Sequence, residues 1–211
     1  MTRSRLVLAV GVLVLATGCV SLKRTPEARF FVLRSLVEPP EPPAGEPTVG
    51  LVGVLPVVVP GYLDRPQVVT WRAPDELRID EFLRWAEPLD LGITRTLAEN
   101  LDTLLSDHRV IRSPWPSSAK LRFRVRVHLR LFGPQQDGQV RLEGRWAILA
   151  ETGERPVLAR NTSLRRGPFA AGAEAMDAGA GVEAMSQLLA DLSREIADGI
   201  RGLPPGTPPA G

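Results

Sequence analysis

One thiol opens the chemistry of this chain. Cys19 is the single cysteine in 211 residues, and it follows Ala16, Thr17 and Gly18 at the end of an apolar run from Leu6 to Ala16 that is preceded by Arg3 and Arg5. A basic start, an apolar stretch too short to span a bilayer, and small residues ahead of a cysteine form the arrangement that a lipoprotein signal peptidase reads before the thiol is acylated. Ala16 stands three residues before the cysteine, where leucine is commonest, and Leu15 lies one place earlier. Acylation contributes about 0.8 kcal/mol per buried methylene, so two or more chains anchor a domain firmly where one does not. Val20 follows, not the aspartate that commonly retains bacterial lipoproteins in the inner membrane, so a lipid-anchored position on the periplasmic face of the outer membrane is expected. With Cys19 given to lipid no disulfide can form, and the domain rests on its core alone.

Other reactive groups are sparse. His108 and His128 are the only histidines, without HExxH or CxxC spacing, so no metal site is expected. Serines occur without GxSxG, and the glycine-rich stretch near residue 180 lacks the lysine and Ser/Thr of a phosphate-cradling loop. Asp75, Glu76, Asp80 and Glu81 read as a solvated group, not a buried acid–base pair. No catalytic constellation and no cofactor is expected, and an envelope hydrolase is the weakest reading. Removing residues 1–18 takes Arg3 and Arg5 away, leaving 24 basic against 24 acidic side chains. That balance gives no reason to invoke nucleic acid.

The elements that must position the remaining candidates follow from periodicity. In 120–132, Leu121, Phe123, Val125, Val127, Leu129 and Leu131 alternate with Arg122, Arg124, Arg126, His128 and Arg130, the period-two pattern of a strand with one buried and one wet face. After a turn at 133–138, Val140, Leu142, Trp146 and Ile148 oppose Arg141, Glu143 and Arg145, which predicts a long antiparallel hairpin, extended by a third strand over 155–166. Glu143 can answer one or two of the arginines across the hairpin. The rest face solvent, or acidic groups of another copy of the chain, of a partner, or of anionic lipid.

Leu89, Ile93, Leu97, Leu101 and Leu105 recur every four positions behind Pro88, predicting an amphipathic helix, and Val182, Met185, Leu189, Leu192, Ile196 and Ile200 predict a second from about Gly181. The valine-rich run 48–60 reads as a central strand, 65–80 as a hairpin, and 29–36 as a first strand followed by a proline-rich loop. The organisation is a signal segment over 1–18, a lipidated tether over 19–28, one α/β domain over 29–202 with a mixed, largely antiparallel sheet and two helices packed on it, and a disordered Pro/Gly-rich tail over 203–211.

Two stretches carry more than a generic domain. Pro60 to Gln67 reads Pro-Gly-Tyr-Leu-Asp-Arg-Pro-Gln, and Trp85 to Leu89 reads Trp-Ala-Glu-Pro-Leu; with Cys19 and the run Phe30-Phe31-Val32-Leu33 they fall in an order that resembles the PqiC-like ABC-type transport auxiliary lipoproteins. The resemblance implies a non-enzymatic docking or gating subunit of a mammalian-cell-entry (MCE) type lipid transport system, with an MCE-domain protein as partner and a homo-oligomeric ring as one arrangement that would give the arginine face acidic neighbours. Pro60 and Gly61 end a strand and force a turn on which Tyr62, Leu63, Asp64 and Arg65, with Trp71 nearby, are candidates for partner contact. Structural turn and binding patch are compatible readings. Trp85 is expected to lock the start of the first helix into the core. A carrier that holds an acyl chain in its own cavity is the alternative function.

Overall fold

The computed structural model describes residues 26–35, 50–150, 155–168 and 178–204. The expectations for Cys19, the signal segment, most of the proline-rich stretch and nearly all of the tail fall outside them. In chain order the elements are β1 (Arg29–Phe31), β2 (Gly50–Val54), β3 (Gln67–Ala73), β4 (Glu76–Trp85), α1 (Leu89–Leu104), β5 (His108–Arg112), β6 (Leu121–Pro134), β7 (Val140–Ala150), β8 (Pro156–Arg166) and α2 (Ala178–Arg201). The α/β class and the two helices are as expected. The strands, however, form two sheets, one ordered β5-β2-β6-β7-β8 and the other β1-β4-β3.

In the larger sheet β2 runs parallel to both β5 and β6, while β6, β7 and β8 are antiparallel. In the smaller, β3 and β4 form the expected hairpin and β1 joins β4 in parallel. The division has a local cause. Beyond Val54 the chain continues beside β6, with Val58 N–H donating to Val127 O and accepting through its carbonyl from Leu129 N–H. Leu63 N–H then closes a turn onto Pro60 O, and Pro66, which has no N–H to offer a ladder, starts the chain on a new course. Gly133 marks where the sheets meet: its φ of 150° is costly for other residues, and a Cβ there would stand 3.2 Å from Val69 O.

Alternation on β6 sends Phe123, Val125, Val127 and Leu129 inward, where they meet Val140, Leu142, Trp146 and Ile148. A bulge between Leu129 and Leu131 then shifts the period by one. Phe132 is buried in consequence and Leu131 is left half-exposed, which corrects the inward position expected for Leu131. Each fully buried aliphatic or aromatic side chain of this layer contributes roughly 1.5–3 kcal/mol.

The apolar stripe of α1, from Leu89 to Leu101, is buried throughout, with Leu105 just beyond it. α2 begins about a turn earlier than expected and lays Val182, Met185, Leu189, Leu192, Ile196 and Ile200 into the core. A Cβ on Gly199 would come within 2.8 Å of the Trp146 ring, so glycine lets α2 sit directly on β7. Between the helices Asn100 Nδ2 donates to Ser193 Oγ at 3.3 Å, and Arg201 Nη2 donates to Leu104 O, occupying one of the orphan carbonyls at the end of α1. Arg95 fastens the segment after β1 to α1: it donates to Leu33 O at 2.7 Å and to the carboxylates of Glu87 and Glu99 at 2.7 and 3.1 Å. Trp85 is buried at the end of β4, and Ala86 N–H donates to Phe31 O, so the start of α1 is held as expected.

Candidate docking surface

Tyr62 and Trp71 come together where the sheets meet. Their rings pack edge to face, with centroids 5.4 Å apart and planes at 81°, a favourable arrangement of aromatic quadrupoles. Tyr62 Oη donates to Arg130 O at 2.7 Å, tying the turn after β2 to the bulged part of β6. Burial, and after it the nearby Glu143 carboxylate, push the Tyr62 phenol above its ordinary range, so the hydroxyl stays protonated and donating. The bulge also presents Arg130 to Glu143 at 2.6 Å, the cross-strand answer expected from the sequence.

Trp71 bridges to Gln135 at the far end of β6. With Pro74, Leu131, Gln135 and Arg141 it lines an open groove of about 520 Å³ between the edge strand β3 and the tip of the β6–β7 hairpin. Its Nε1 is buried without a hydrogen-bond partner. The groove's wall is apolar and its rim is charged, with Arg72 on one side and the Arg141–Asp137 pair on the other. Leu63, expected to offer apolar area beside Tyr62, is instead 2% exposed and part of the core, because the Pro60 turn points its side chain inward. Asp64 is exposed, and Arg65 is half-buried with its Nε unpartnered.

Sequence reasoning found Tyr62 and Trp71 but missed Pro74, Leu131, Gln135 and Arg141. Gly133, which the sequence places at the start of a turn, instead lies within β6, where it lets backbone approach closely. The arginine ladder occupies the other side of β6 from the core: Arg124 and Arg126 are half-exposed, and His128 and Arg130 are exposed. Among the described residues no group of three or more His, Cys, Asp and Glu is placed to hold a metal, and no helix is long and apolar enough to cross a membrane. His108 lies beneath α1 with Nδ1 donating to Asp107 Oδ1 at 2.8 Å, and that bond lowers the Asp107 pKa.

A model of the family described as ABC-type transport auxiliary lipoprotein component matches residues 31–197. None of the curated proteins matches the sequence. Among solved structures, an uncharacterized protein is 23% identical with a TM-score of 0.66, over 83% of this chain and 99% of its own. A Xanthomonas campestris protein is 18% identical with a TM-score of 0.63, over 81% and 93%. At these identities the likeness is one of fold.

Proposed function

The chain belongs to the ABC-type transport auxiliary lipoprotein family, and from that membership we propose that it is anchored through Cys19 to the outer membrane, faces the periplasm, and docks an MCE-domain protein of an intermembrane lipid transport system. The observation that carries the docking role is the Tyr62–Trp71 pair. Two aromatic side chains are fixed against each other and against β6 at the edge of a groove, the preorganised aromatic anchor that interfaces favour. The carrier reading receives less support. The space between the larger sheet and the helices is filled by Trp146, Phe123, Phe132 and the leucines of α1 and α2, and the Trp71 groove is open along its length.

Two measurements on the full chain test this reading. Intact-mass analysis of membrane-extracted protein, with fractionation, is expected to give an acylated species beginning at Cys19 in the outer membrane, and Cys19→Ala to release it. A photo-crosslinking residue at Arg72 is expected to capture the MCE-domain protein, whereas one at Asp198 on α2 is not. Capture from Asp198 alone would refute the assigned surface, and a lipid crosslinked within the core would favour the carrier.

A further inference from the structure

Beyond the Tyr62–Trp71 edge, the outer face of the larger sheet carries a charge pattern that its own fold does not need. Arg141 on β7 stands directly opposite Arg165 on β8, and Arg145 stands opposite His128 on β6. The Arg141–Arg165 pair places like charges at paired cross-strand positions, which opposes folding. Arg130 is engaged by Glu143 and Arg141 by Asp137, but Arg145 and Arg165 are exposed and make no ion pair among the described residues. Glu143 is the one carboxylate that β6, β7 and β8 place on this face.

The basic groups are spread over three neighbouring strands, on a sheet whose strands lie about 4.8 Å apart, and do not converge on one point. A plane of phosphates fits that arrangement better than a single anion does. At the hairpin end the face borders the groove, with which it shares Arg141. The chain length from Cys19 to β1 limits the distance: ten extended residues reach about 35 Å at most, and a domain of this size has a radius of gyration of about 15 Å. A domain so tethered cannot leave the vicinity of its bilayer.

We propose that this face, centred on Arg145 and Arg165, lies against the anionic surface of the anchoring bilayer, its guanidiniums on phospholipid phosphates; the orientation rests on the Cys19 anchor proposed above. Each basic residue near an anionic surface strengthens attachment roughly fivefold, and the contact weakens as salt screens it.

The test uses the full mature protein, reconstituted into phosphatidylcholine vesicles with and without phosphatidylglycerol, and follows modification of individual arginines by phenylglyoxal. Arg145 and Arg165 are expected to react roughly fivefold more slowly on the anionic vesicles, to recover at high salt, and to do so while Arg194 on the helix side is unchanged. Equal rates on both vesicles would overturn the proposal. So would protection by inorganic phosphate on neutral vesicles, which would mark a free-anion site, or protection that requires added partner protein, which would mark a protein interface. An unacylated Cys19 would contradict the anchor instead, and co-sedimentation of the same unacylated chain with anionic vesicles, lost in the Arg145→Glu, Arg165→Glu double variant, would still report on the face.

Discussion

The two faces of the β6–β7 hairpin are made by the same backbone and differ in what constrains them. On the helix side Val125, Val127, Trp146 and Ile148 are wholly buried, and Trp146 also donates through Nε1 to Glu195, which accepts from Thr162 as well. Every group there has packing or hydrogen-bonding partners, so residue type is dictated by the fold. On the outer side the same strands carry Arg126, His128, Arg130 and Arg145, where a fold needs only polarity. Arg130 is answered there by Glu143, but exposed Arg145 and Arg165 make no ion pair among the described residues, and charge of that kind serves what the face meets. Core residues of this protein therefore report on stability, and outer-face residues on attachment.

Substitutions can break that division, beginning with the largest effect. Trp146→Ala removes the largest fully buried side chain and is expected to lower unfolding free energy by about 3–5 kcal/mol in urea titrations. Gly199→Ala drives a methyl group into the immobile Trp146 ring and should cost about 1–3 kcal/mol, read as a fall in Tm. Tyr62→Phe deletes the bond to Arg130 O for about 0.5–1.5 kcal/mol. It also has a pH signature. Because the folded Tyr62 pKa lies above its unfolded value near 10, its contribution is fully present below pH 10 and is lost as pH rises through the folded pKa; wild-type stability should fall more steeply than that of Tyr62→Phe in strong alkali. The smallest effect belongs to the outer face: Arg145→Glu with Arg165→Glu should change stability by no more than about 0.5 kcal/mol, since both side chains are exposed and the change relieves the Arg141–Arg165 like-charge pair. A large loss there would show that the face has structural duties after all.

Much of this was legible in the sequence, for identifiable reasons. The stripes of α1 and α2 and the alternation on β6 and β7 are long periodic signals, and the structure follows them. β5 escaped because five residues without alternation carry little signal, and its pairing with β2 joins segments more than fifty residues apart. The split into two sheets was also hidden, although Pro60 and Gly61 read as the end of a strand. Leu63 was misplaced because a turn has no periodicity from which to read a face. The bulge that exchanges Leu131 for Phe132 interrupts a pattern that reads perfectly well without it. For the candidate surface, the sequence supplied Tyr62 and Trp71 as residue types suited to an interface, but their contact and the groove beside them arise from β3 meeting the far end of β6.

The most direct test is the affinity of the full chain for the MCE-domain protein proposed as its partner, compared among wild type, Trp71→Ala and Gly199→Ala, each with its Tm. Gly199→Ala supplies a destabilised protein whose lesion lies under α2, away from the groove. The account predicts that Trp71→Ala weakens binding about tenfold or more, while Gly199→Ala lowers Tm and leaves affinity unchanged. Equal affinity for wild type and Trp71→Ala, or losses in both variants that track only their Tm, would contradict it.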